Sequence, residues 1–185
     1  MRYILLLFGV LIISCSEEPL LDAEYKTLEE GSLRLNERLE KNDLSVLIFL
    51  SPECPLCQNY APTMRDIQNK FSDKNVAFYG IVSGEFYSRE DILRYKLKYA
   101  LDFPILLDPE INLADQLKAS ITPEVVVLTA NAEIIYRGAI DNWAISLGQK
   151  RLQASAHYLR DAISNYLDEK RISPTKTDAV GCFIE

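Results

Sequence analysis

The sequence predicts an α/β domain of three layers, with helices on both sides of a mixed central sheet. Two observations carry that prediction. Short apolar runs that fit strands buried on both faces alternate with longer stretches of helical period. The last two runs are separated by four residues suited to a hairpin. The length, 185 residues, is enough for one well-formed core. With 48% hydrophobic and 25% charged residues the chain sits near the globular average, which excludes disordered and collagen-like classes. A formal charge of −7, one histidine and no run of Lys or Arg argue against nucleic acid as a partner. Four cysteines are too few for a disulfide scaffold, so each can be asked what it does.

Residues 1–14 read as a signal peptide removed from the mature protein. Arg2 precedes an unbroken apolar or small stretch, Ile4 to Ile13, followed by Ser14 and Cys15. A cationic start, a short apolar stretch and a small residue before the break describe a secretory signal. The stretch is too short for a comfortable membrane span of about 20 residues. Ile12-Ile13-Ser14-Cys15 resembles a bacterial lipobox. That resemblance implies lipidation at Cys15 and a protein tethered to a membrane of the bacterial envelope, on its periplasmic or outer surface. Without residues 1–14 the chain carries 19 basic against 27 acidic side chains. Such a body gains nothing from anionic lipid, so the acyl chains would supply the anchoring.

Residues 15–26, largely polar and acidic, predict a tether, and the folded domain is expected over 27–170. Thr27 with Glu30 has capping-box spacing, and Leu28, Leu35 and Leu39 fall near one helical face, interrupted by Gly31. Val46 to Leu50 predicts a buried strand, 59–73 a helix, and Val76 to Val82 a second strand. A helix over 88–100, a short strand from Pro104 to Leu107 and a helix over 111–119 follow. Glu124 to Leu128 and Glu133 to Tyr136 predict strands joined across Thr129-Ala130-Asn131-Ala132. A long helix over about 150–170, opened by Lys150-Arg151, closes the domain, and 171–185 is a tail carrying Cys182.

The chemistry is concentrated at Cys54-Pro55-Leu56-Cys57, between a buried strand and a helix start. The first sulfur of such a motif meets unpaired N–H groups and the positive end of the helix dipole. Its pKa is expected to fall below the free value of about 8.5. The second sulfur, one turn on, can attack a mixed disulfide and release the product. Pro55 suits a first helical turn, having no N–H to lose. Cys54 is therefore the expected nucleophile and Cys57 the resolving thiol. Zinc would want four ligands where the mature chain offers one further free cysteine and one histidine. A structural disulfide closing so short a loop would stabilise little. No metal or organic cofactor is required.

Phe49-Leu50-Ser51-Pro52-Glu53-Cys54-Pro55-Leu56-Cys57 resembles the active-site stretch of thioredoxin-fold redoxins, in the broad TlpA-like and AhpC/TSA-like, or peroxiredoxin-like, group. The likeness continues through Phe103-Pro104-Ile105-Leu106-Leu107-Asp108 and Ile121-Thr122-Pro123-Glu124-Val125 to Ile135-Tyr136-Arg137-Gly138. The tail Ala179-Val180-Gly181-Cys182-Phe183-Ile184 is similar to the end of some bacterial redoxins. The resemblance implies a thioredoxin-like α/β/α sandwich and a thiol–disulfide oxidoreductase acting on protein cysteines, with a separate redox partner to recycle it. It also implies a cis Pro123 facing the cysteines, with the Thr122 backbone free to pair with an extended substrate segment.

Departures mark the alternatives. Glu53 stands where thioredoxins carry a Trp, and a close carboxylate would oppose thiolate formation. In the peroxiredoxin pattern Ser51 fits the hydroxyl position, but Leu47 occupies the proline position and no Arg precedes the Pro123 strand. A thiol peroxidase, its sulfenic acid resolved by Cys57 or Cys182, is the second reading. Copper carriers of the Sco type space their cysteines by three residues and add a loop His; here the spacing is two and His157 falls in a helical pattern. Cys182 is an odd thiol that could join the redox site. Glu124 and Glu85 are candidate proton acceptors for Cys57. The tyrosines of 79–99 read as packing residues.

Overall fold

A computed structural model of the chain describes residues 23–29 and 31–185. The expected signal, Cys15 and most of the expected tether lie outside the described residues. The description opens with a hairpin in which β1 (Glu24–Lys26) pairs antiparallel with β2 (Ser32–Arg34). Strand therefore replaces the helix expected from Thr27 and takes in the last residues of the expected tether. Gly31, at φ 98°, turns the chain, and its carbonyl accepts from the Thr27 N–H, so Thr27 closes a turn instead of capping a helix. Helix survives only as α1 (Leu35–Leu39), which buries Leu35 and Leu39.

The central sheet is built from β3 (Leu44–Phe49), β4 (Val76–Ser83), β5 (Ile105–Asp108), β7 (Glu124–Thr129) and β8 (Ile134–Gly138). Their order is β5-β4-β3-β7-β8, with β3, β4 and β5 parallel and β7 antiparallel to both neighbours. The middle strand, β3, is buried at every position, which explains its nearly unbroken apolar run. Alternate side chains of β3 feed two cores. Leu44, Val46 and Ile48 join Met64, Tyr95 and Ile163 from α2 (Pro55–Lys70), α3 (Arg89–Lys98) and α5 (Tyr158–Leu167). Leu47 and Phe49 join Leu35, Leu39 and Leu113, from α1 and α4 (Asn112–Leu117). This is the three-layer α/β/α arrangement with a mixed sheet that the alternation predicts.

The closing helix begins at Tyr158, later than predicted, because 144–150 forms a small hairpin of β9 (Ala144–Ser146) and β10 (Gln149–Lys150) turned at Gly148, φ 79°. Lys150 thus lies on a strand, its Nζ 5.1 Å from the Trp143 ring centre, and His157 takes the N-cap position of α5. The tail is stitched to the body. Residues 175–177 run beside β8, with the Arg137 N–H donating to the Thr175 carbonyl and the Thr177 N–H to the Arg137 carbonyl, both at 3.0 Å. The chain then reaches β11 (Cys182–Phe183), which pairs antiparallel with β6 (Ile121–Thr122). Among the described residues no helix is long and apolar enough to cross a membrane.

Candidate active site

The turn from β3 into α2 positions the first sulfur. The Leu50 N–H donates to the Ile81 carbonyl at 2.8 Å, and the Cys54 N–H turns back to the Ser51 carbonyl at 3.2 Å. Cys54 is the N-cap of α2 with extended backbone, and Pro55 is the first helical residue. Cys57 is completely buried one turn on, with the Ser51 N–H aimed at its Sγ at 3.5 Å. The two cysteines of the motif are therefore neighbours, the second beneath the first.

Their electrostatics differ in direction. The Cys57 thiol donates a hydrogen bond to the Cys54 sulfur; this is the largest influence, and Cys182 adds a second donor. Together they outweigh burial and hold Cys54 far below the ordinary thiol range, at about 4. Burial, then the adjacent Cys54 sulfur, pushes Cys57 well above that range. Cys182 is pushed up to about 11, by desolvation first and then by Cys54. The Glu53 carboxylate, exposed at the rim, is not among the groups that act on Cys54.

Thr122 and Pro123 are both buried beside this pair, and the peptide between them is cis. The Thr122 carbonyl oxygen lies 3.1 Å from Cys54 Sγ. Strand β6 stands apart from the central sheet and carries the tail: Cys182 is opposite Thr122 and Phe183 opposite Ile121. Cys182 Sγ consequently lies 2.9 Å from Cys54 Sγ. A cleft of about 320 Å³ opens alongside, bounded by Ser51, Tyr87, Phe86 and the tail residues Phe183 and Glu185. Its described lining holds no Lys, Arg or His.

The carboxylates fall elsewhere. Glu124 is buried, and its Oε2 accepts from the N–H groups of Ser120 (3.0 Å) and Ile121 (3.3 Å), bracing the approach to β6. Glu85 is exposed and lines a separate hollow with Tyr25 and Arg89. His157 lines a third hollow with Asp66 and Arg160, against α2.

Two tyrosines read as packing have site roles. The Tyr87 hydroxyl is 2.8 Å from Ser51 Oγ, joining the loop after β4 to the loop that carries Cys54. Tyr95 donates to the Cys57 carbonyl at 3.2 Å; burial, then Cys57 and Cys54, raise its pKa and keep it a donor. Tyr95 was findable, since with Ile92 it forms the buried stripe of a helix otherwise rich in charge. Tyr87 had no local signal, because its partner is 36 residues away.

Fold and site together define a thioredoxin-like domain with a cysteine pair at the start of its first long helix. The AhpC/TSA family profile matches residues 17–140, and the chain belongs to the AhpC/TSA family. Over 108 residues it is 25% identical to the thiol-disulfide oxidoreductase ResA of Halalkalibacterium halodurans. That match covers 58% of this chain and 59% of the relative, so it spans less than two thirds of that protein's length. An uncharacterised conserved protein of Geobacillus kaustophilus superposes with a TM-score of 0.79 at 20% identity, covering 89% of each chain. A hypothetical protein of Sinorhizobium meliloti 1021 gives 0.77 at 20% identity, covering 88% of this chain and 90% of that one. A secreted disulfide oxidoreductase of Mycobacterium tuberculosis gives 0.57 at 19% identity, covering 80% and 96%. At these identities the three structures establish the fold alone.

Proposed function

We propose that this protein is a thiol–disulfide oxidoreductase that exchanges electrons with protein cysteines through Cys54 and Cys57. The observation that carries the reading is the opposed pair of sulfurs: Cys54 favours its thiolate, while buried Cys57 stays protonated and donates to it. In the reducing direction the Cys54 thiolate attacks a substrate disulfide, forming a mixed disulfide and releasing one substrate thiolate, which takes up a proton. Cys57 then loses its proton, attacks Cys54 Sγ, and leaves a Cys54–Cys57 disulfide and a second substrate thiol. The buried edge at Thr122 and Pro123 is the substrate-facing side of this reading. The name of the ResA relative supports the chemistry.

The lipobox-like Ile12-Ile13-Ser14-Cys15 supports an exported protein held by acyl chains at Cys15, where its cysteines meet oxidising conditions and a recycling partner. A thiol peroxidase is less well supported, because the described lining of the cleft offers no cation to polarise a peroxide. Copper carriage is disfavoured by His157 lying in a different hollow from the cysteines. Substituting Cys57→Ser together with Cys182→Ser, which removes both thiols placed to attack Cys54, tests the choice. An exchange enzyme then accumulates mixed disulfides between Cys54 and protein partners, seen as reductant-sensitive adducts. Cys54 sulfenic acid without adducts would instead make the protein a peroxidase.

A further inference from the structure

We infer that the C-terminal strand is a built-in substrate segment: Cys182 is a third exchange thiol that forms an internal disulfide with Cys54, and client cysteines enter as extended glycine-cysteine segments that take the tail's place on β6. The inference rests on the dithiol reading and extends it to the substrate and to a third catalytic residue. Three observations carry it.

The first is register. The tail lies on β6 as an added antiparallel strand, with the Ile184 N–H donating to the Ser120 carbonyl at 3.0 Å and Thr122 Oγ1 to the Cys182 carbonyl at 3.4 Å. Strand addition of this kind is how extended peptides are recognised. It sets Cys182 Sγ 2.9 Å from Cys54 Sγ, less than about 1 Å beyond the bonded separation.

The second is access. Cys54 is only 2% exposed, beneath the tail, so an external disulfide reaches it when the tail lifts. The tail has a fixed base and a short tip. Thr177 is tied to Arg137, Tyr136 and Ala139, whereas β11 is two residues long. The tip can pivot over 178–181 while its base keeps it at high local concentration.

The third is shape. A Cβ placed on Gly181 would collide with the Thr122 carbonyl, so the residue before the exchanging cysteine must be glycine. Phe183 projects into solvent, while Ile184 packs on the α1 and α4 side of the core. A client segment is thus read at its glycine and at the apolar residue two places after its cysteine.

The internal step balances without an added oxidant. From the Cys54–Cys57 disulfide, the Cys182 thiolate attacks Cys54 Sγ; the Cys54–Cys182 bond forms and the Cys54–Cys57 bond breaks. The bonding pair leaves on Cys57 Sγ, which takes up the equivalent of the proton Cys182 gave up. The reverse step frees the tail.

The test uses the full chain with Cys15→Ser. In the added Cys57→Ser variant, oxidation by glutathione disulfide should give a Cys54–Cys182 cross-link in most molecules, mapped by mass spectrometry, with glutathione released. A Cys54–glutathione adduct with Cys182 left free overturns the inference. Gly181→Ala should raise the alkylation rate of reduced Cys54 by about tenfold or more, as the tip leaves β6; an unchanged rate counts against it. With Cys182→Ser, a glutathione-capped peptide copying residues 179–185 should be reduced about tenfold faster than one with alanine in the glycine position. Equal rates remove the substrate assignment. Cycling of Cys54 and Cys57 in Cys182→Ser reports on the dithiol reading by itself, so a tail that fails beside a pair that cycles leaves that reading intact.

Discussion

At the scale of residues, one sulfur is made ionisable at the expense of two others. Helix position alone suggested a lowered Cys54, but the dominant cause is the hydrogen bond from Cys57, which no spacing rule reveals. Cys57→Ala should therefore raise the Cys54 midpoint, and Cys182→Ala should raise it by less; ultraviolet absorbance of the thiolate, titrated against pH, reads both. Because folding lowers the Cys54 pKa from 9.0 to about 4, ionised Cys54 favours the folded state fully above the unfolded value. That contribution is lost as pH falls toward 4. The stability of reduced protein relative to Cys54→Ala should accordingly grow across this window, measured by urea unfolding at several pH values. Thr122 and Cys182, expected near the cysteines from the sequence, lie within 3.1 and 2.9 Å of the Cys54 sulfur, and Pro123 follows Thr122 through a cis peptide. Glu124 and Glu85 were not placed by their letters, since a carboxylate near a site in sequence can be spent on backbone amides or turned to solvent.

At the scale of elements, burial decided what could be read. Strands β3, β4, β5 and β7 are buried on both faces and announced themselves as apolar runs within two residues of their true ends. The segment 27–39 misled because Leu28, Leu35 and Leu39 do sit at helical intervals, yet Gly31 turns a hairpin between them. The start of the last helix misled because the β9–β10 hairpin is exposed and carries no apolar alternation. Asp108, the last residue of β5, ties three elements together. Its carboxylate accepts from the N–H groups of Leu113 and Ala114 at 3.1 Å and from Ser83 Oγ at 2.8 Å, tying β5, α4 and β4 together. Asp108→Ala leaves these donors buried without a partner and should cost about 1–3 kcal/mol each way it is measured, by urea or by heat. Asp108→Asn, which keeps an acceptor, should cost less.

At the scale of the whole molecule, the tail is where local reading ended. Pairing of β11 with β6 joins residues 60 apart, and contact between Cys182 and Cys54 joins residues 128 apart. Nothing in the intervening spacing dictates such closure, although the odd cysteine pointed to it. The base of the tail belongs to the fold. Thr175 and Thr177 share four hydrogen bonds with Tyr136, Arg137 and Ala139. At about 1 kcal/mol for each bond and about 2–4 °C per kcal/mol in a chain of this size, a chain ending at Lys170 should melt about 10 °C lower. A chain ending at Val180 keeps those bonds and should melt close to the intact protein. The proposed activity requires Cys54 and Cys57 to exchange electrons as a pair. The direct test is a redox titration of the intact chain in graded glutathione buffers, with alkylation and mass spectrometry reporting each cysteine. A stabilised Cys54 thiolate favours the reduced form, so the account predicts a reversible two-electron transition with a midpoint more oxidising than the roughly −270 mV of thioredoxin. Cysteines 54 and 57 remaining in one state across the whole series would contradict it.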